Sequence, residues 1–197
     1  MALLLDMSAS TSEPVSGKEN EECIIDLEKE AAVLMMEALE TIGDSYGIYG
    51  FSGNGRQNAV FNIIKAFDEP LNDLVKSRLH QIQPLGATRM GVAIRHACTL
   101  LATQEARTKV LLLLSDGRPR DQDYGRDNKD QAYALHDTHQ ALKEARQQGV
   151  SPFLITVDTN GDDYLQNLCG NMGYEVISNI TTLPGRLAGI YRRITAH

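Results

Sequence analysis

Lys109-Val110-Leu111-Leu112-Leu113-Leu114-Ser115-Asp116-Gly117 is the stretch whose reading decides the fold. Five consecutive branched apolar side chains leave the segment without a polar face. A strand of that kind must be covered on both sides, as in parallel sheets flanked by helices. Asp116-Gly117 and Pro119 stop it. Leu3-Leu4-Leu5 repeats the pattern near the start and predicts a second buried strand. Between the two, Ile24, Leu27, Ala31, Leu34, Met35 and Ala38 recur at helical spacing, which predicts a core-facing helix over 24–39.

The remaining elements fall into the same alternation. Tyr46–Phe51 and Ala59–Phe67 read as an antiparallel hairpin around the turn Ser52-Gly53-Asn54-Gly55. Helices are predicted over 71–80 and from Met90 to Leu101, the first closed by Pro84 and Gly86. After a long polar loop come a helix (132–148), a strand (152–157), a short helix (162–168), a strand (174–177) and a final helix (183–194). The sum is an α/β domain: a doubly wound, mainly parallel six-stranded sheet with one antiparallel edge strand and helices on both faces.

Composition bounds the function. The chain has 197 residues, 42% apolar and 23% charged, enough for one core and wrong for a disordered or collagenous chain. Nineteen basic against 26 acidic residues give a net charge of −7, which disfavours binding to nucleic acid or to an anionic membrane surface. No apolar run approaches the ~20 residues that span a bilayer, so membrane insertion is not expected. Met1–Leu5 lacks the basic start and length of a secretory signal. Cys23, Cys98 and Cys169 are odd in number and widely spaced; this fits reduced thiols and a cytoplasmic location and disfavours a cysteine zinc site.

Ligands of such sheets bind beyond the carboxyl ends of the strands. Asp6-Met7-Ser8-Ala9-Ser10 follows the first strand, Ser115-Asp116 follows the central one, and Gly86-Ala87-Thr88-Arg89 precedes the helix that starts at Met90. Two carboxylates and three hydroxyls converge there, an all-oxygen set suited to Mg²⁺ or Mn²⁺, with Ca²⁺ also possible, and poorly suited to zinc. The competing explanation is that Asp6 caps a turn and that Ser8, Ser10 and Thr88 are helix N-caps.

D-x-S-x-S after the first strand, a Thr before a central helix and an Asp-Gly after a central strand together resemble a von Willebrand factor A (VWA) domain over essentially the whole chain. The resemblance implies a metal-ion-dependent adhesion site at Asp6, Ser8, Ser10, Thr88 and Asp116, with an ion that grips an acidic side chain of a partner. Further stretches, Ile42-Gly43-Asp44, Gly50-Phe51-Ser52, Ile64-Lys65-Ala66-Phe67-Asp68-Glu69, Thr88-Arg89-Met90-Gly91, Ser115-Asp116-Gly117-Arg118-Pro119 and Asp123-Tyr124-Gly125, are similar to the C-terminal VWA domains of the CbbO/NorD group. That implies a non-enzymatic adaptor working with a hexameric AAA+ ATPase of the MoxR type. The implied client is Rubisco, with nitric oxide reductase as the alternative. It also implies a single VWA domain over 1–197, excised from the C-terminus of a longer polypeptide.

Other readings are weaker. A haloacid-dehalogenase-type phosphatase needs a second Asp two residues after Asp6, where this chain has Ser8. Gly50-Phe51-Ser52-Gly53-Asn54 misses the final glycine of G-x-S-x-G, and Gly17-Lys18-Glu19 lacks the P-loop pattern. A scaffold with a purely structural metal is the non-enzymatic alternative. His136 and His139 at i, i+3 read as a solvated face, and Met35, Met36 and Met90 as core. Arg118 and Arg120 are candidate contacts to an acidic partner, although the interspersed Asp121 and Asp123 favour local pairing.

Overall fold

The computed structural model describes residues 1–15, 22–55, 57–117, 119, 131–157 and 162–196. Its sheet has the order β3-β2-β1-β4-β5-β6, built from β1 (Ala2–Asp6), β2 (Gly47–Gly53), β3 (Ala59–Lys65), β4 (Lys109–Ser115), β5 (Val150–Thr156) and β6 (Gly173–Val176). All neighbours are parallel except β2 and β3, so the antiparallel strand lies at an edge as expected. Among the described residues six α-helices cover the sheet: α1 (Ile24–Ile42), α2 (Asp73–Gln81), α3 (Met90–Ala102), α4 (Gln131–Gln147), α5 (Asp162–Cys169) and α6 (Leu183–Thr195).

Strand geometry divides the core in two, because successive side chains leave a strand on opposite faces. Leu3, Leu5, Leu112 and Leu114 join residues of α1, α2 and α6 in one cluster. Ala2, Leu4, Leu111 and Leu113 join α3, α4 and α5 in the other. The uninterrupted apolar runs of β1 and β4 are thus explained: each strand supplies both layers and has no residue to spare for water.

The structure revises three local expectations. Leu34, read as core, is 39% exposed, and the stripe of α1 that faces the sheet carries Ile25, Leu27, Glu28, Ala31, Ala32, Met35, Met36 and Leu39. Ser52 and Gly53, read as a turn, belong to β2, where they pair with Val60 and Ala59; cross-strand pairing overrides the turn preference of glycine. Ser52 therefore sits inside a strand rather than on a nucleophile elbow. A 3₁₀ turn over Ala9–Ser12 follows β1 and has no counterpart in the hydrophobic pattern. The methionines read as core are buried. His139 bonds through Nδ1 to the Leu168 carbonyl at 2.9 Å, and the intervening Asp137 pairs with Arg95. This helix face is thus occupied by polar contacts within the fold.

Leu4 is fully buried in the second cluster. Leu4→Ala should lower the unfolding free energy by about 2–5 kcal/mol, the usual cost of such a truncation. It would appear as a lower urea midpoint with an unchanged slope.

Candidate metal centre

β1 lies between β2 and β4, the point where the chain stops adding strands on one side and starts on the other. Ligand crevices form at such points, beyond the strand ends. Here the register decides which residues meet. Leu5 is abreast of Leu114, so Asp6 falls beside Ser115, and Asp116 follows one residue beyond the end of β4.

Asp6 is completely buried. One carboxylate oxygen accepts the Ser8 backbone N–H at 2.9 Å, and the other accepts the Ser115 hydroxyl at 2.6 Å. In the sequence Ser115 stands only as a neighbour of Asp116; the strand register is what sets it beside Asp6 and lets it fix that carboxylate. Burial, and then the charge of Asp116, push the Asp6 pKa up to about 7 against the opposing effect of these hydrogen bonds.

The loop before α3 is strapped onto the same corner. The Ala9 N–H donates to Gly86 O at 3.0 Å, Leu85 N–H to Met7 O at 2.6 Å and Ala87 N–H to Gly53 O at 2.6 Å. Gly86 has a φ of +73°, and a Cβ there would stand 2.4 Å from Gly53 O, so the strap requires glycine at this position. It ties the segment just before Thr88, itself 5% exposed, to the loop that holds Ser8 and Ser10.

The capping explanation of the hydroxyls does not hold. Ser8 precedes the 3₁₀ turn but makes no side-chain cap bond, and the position before α3 is Arg89, not Thr88. Ser8 and Ser10 hydroxyls bond to each other at 3.0 Å. These oxygens are not consumed in holding helices. Among the described residues no three His, Cys, Asp or Glu side chains form a metal-holding group on their own, so a cation here would depend on the hydroxyls. The donor chemistry fits Mg²⁺: oxygen throughout, with a buried carboxylate whose charged neighbour is another carboxylate. Arg118 and Arg120 lie outside the described residues.

The sequence reading missed Glu28. It is 1% exposed on the buried stripe of α1, and its signal was present as a charged residue one helical repeat from apolar Ile24, Ala31 and Ala32.

The family model for the von Willebrand factor type A domain matches residues 1–191. The chain belongs to the VWA family. This VWA domain is 40% identical over 177 residues to NorD of Stutzerimonas stutzeri, covering 89% of this chain and 28% of that protein. It is 37% identical over 196 residues to NorD of Brucella melitensis, covering 98% and 29%, and 39% identical over 192 residues to an uncharacterised Pseudomonas aeruginosa protein, covering 98% and 30%. It therefore spans less than a third of the length of these relatives. Among solved structures it is similar to the PilB minor pilin of Streptococcus sanguinis, with a TM-score of 0.76 at 19% identity over 98% of this chain and 60% of that one. It is also similar to an aerotolerance-related membrane protein of Bacteroides fragilis, with 0.66 at 16% over 98% of both chains. These two likenesses concern the fold. Domains of this family are in general protein-binding modules rather than enzymes. Among the described residues no helix is long and apolar enough to cross a membrane.

The raised pKa of Asp6 has a stability consequence. Its charged form is disfavoured in the fold, so the metal-free VWA domain is most stable with Asp6 protonated and loses stability as pH rises from about 4 through about 7. Thermal melts in EDTA across that window should show a melting temperature that falls with pH, and Asp6→Asn should flatten the fall by several degrees.

Proposed function

We propose that this VWA domain is an adaptor that grips an acidic side chain of a client protein through a Mg²⁺ ion. Asp6, Ser8, Ser10, Thr88 and Asp116 would hold the ion, with Mn²⁺ or Ca²⁺ as possible substitutes. The observation that carries the reading is the Asp6 corner: a fully buried carboxylate facing another acid, beside hydroxyls that cap no helix.

The ion would supply a positive charge and an exchangeable coordination position. This chain's own residues do the rest. Ser115 and the Ser8 N–H fix the Asp6 carboxylate, and the strap at Gly86 sets Thr88 against the same loop. Neutral hydroxyl ligands leave the ion most of its charge for the client carboxylate, which is how a protein of net charge −7 attracts an acidic partner. Arg118 and Arg120, next along the chain, are proposed as further contacts to the acidic partner. No residue is assigned a catalytic role.

We further propose that the domain links its client to a MoxR-type AAA+ ATPase. The NorD name carried by relatives at 37–40% identity favours nitric oxide reductase as the client over the Rubisco reading reached from the sequence. Since those relatives are more than three times as long as the matched region, the proposed module would be one part of such an adaptor.

Immobilised chain should retain nitric oxide reductase in Mg²⁺ and release it in EDTA. Asp6→Ala and Ser8→Ala, folded by circular dichroism, should capture at least about tenfold less, as expected when one partner of a desolvated charge contact is lost. Undiminished capture under both treatments would sink the metal bridge. A large Mg²⁺-dependent rise in melting temperature without any effect on capture would leave the metal a structural part only.

A further inference from the structure

Glu28 has no structural reason to be a glutamate. It is 1% exposed on the face of α1 that packs onto the sheet, and its Oε2 has no hydrogen-bond partner among the described residues. A buried carboxylate without a partner costs several kcal/mol, and an apolar side chain of similar volume fills such a place better. Among the described residues no basic side chain is paired with it. The adjacent Lys29 is turned away, bonding to His80 O at 3.2 Å and lying 3.9 Å from Asp26. The buried Lys65 bonds to the Tyr46 and Ala66 carbonyls.

What does reach Glu28 is the metal centre. After burial, the charges that hold its carboxyl well above the usual carboxylate range are those of Asp6 and Asp116. Helix α1 also packs directly on the Ala9–Ser12 turn that carries Ser10. A third buried acid thus stands on the helix that packs against the corner of Asp6 and Asp116. Such a grouping costs stability unless protons or a cation neutralise it.

We infer that Glu28 is an outer carboxylate of the cation site, acting on the ion through charge and bound water rather than by direct contact. The inference rests on the metal-bridge reading above. Indirect action follows from the spacing, because among the described residues no three acidic side chains stand close enough to hold an ion together. Carboxylates in this position orient the ligands and waters of a site and strengthen its hold on the metal. The arrangement gives the domain two acids in its core, Asp6 and Glu28, whose charged forms are offset when the ion is bound.

The test is Mn²⁺ binding by electron paramagnetic resonance and Mg²⁺ binding by calorimetry, on wild type, Glu28→Gln and the apolar Glu28→Met, with metal-free and metal-loaded melting temperatures. Both variants should bind the ions about tenfold to a hundredfold more weakly. Their metal-free melting temperatures should equal or exceed that of wild type, and their Mg²⁺-induced rise should shrink. Wild-type affinity in both variants overturns the role of Glu28 and leaves the five-residue site standing. Lower metal-free melting temperatures with unchanged affinity, or failure of both variants to fold, assigns Glu28 to the core and overturns it as well. A wild type that binds neither ion overturns the metal reading itself and this inference with it.

Discussion

The structure turns on a carboxylate placed where the protein cannot satisfy its charge. Asp6 ends the central strand and is fully buried; its two hydrogen bonds orient it but do not neutralise it. A hydrogen bond to a buried ion is worth a few kcal/mol, less than the cost of placing a full charge among apolar neighbours. The nearest charged influence, Asp116, makes matters worse. An ordinary core would hold an asparagine or a leucine there. Without an ion the acid is neutralised by a proton, as its raised pKa requires; the proposed cation would take that proton's place.

Around that acid the backbone is arranged to bring in neutral oxygens. Three backbone hydrogen bonds tie the segment 85–87 to the exits of β1 and β2, and the left-handed Gly86 lets the chain pass close to Gly53. The result is a corner assembled from rigid elements, with Thr88 two residues beyond the anchored Gly86. Precision of this kind matters for small hard cations, which tolerate little distortion of their shell. The hydroxyls are what make the corner adaptable, since they contribute lone pairs without adding charge.

Most of the fold is legible in the sequence because its strands are buried on both faces. A run such as Val110–Leu114 has few alternatives, and the register it imposes sets Asp6 beside Ser115. The strand ends that bring Asp6 and Asp116 to one corner are legible for a different reason: chain order places them at the carboxyl ends of β1 and β4. What escapes a linear reading depends on side chains that meet from distant segments. Leu34 fits the helical period yet is exposed, because the face of α1 turned to the sheet is rotated towards Ala32 and Met36. Glu28 lies on that face, but its meaning comes from Asp6, twenty-two residues earlier, and Asp116, eighty-eight residues later. Ser52 and Gly53 look like a turn until pairing with Val60 and Ala59 is known.

The position of β1 between β2 and β4 also governs when the site exists. Its parts come from residues 6–10, 86–88 and 115–116, so no contiguous fragment shorter than residues 6–116 contains them all. Contacts over such separations form late in folding, after the loop-closure entropy has been overcome. The corner is therefore a checkpoint of completeness: partly folded chains expose their acids separately to water and do not bring them together. A cation bound there would select the finished molecule from all incomplete ones, and any partner that recognises the ion would engage only chains whose whole central sheet is in place.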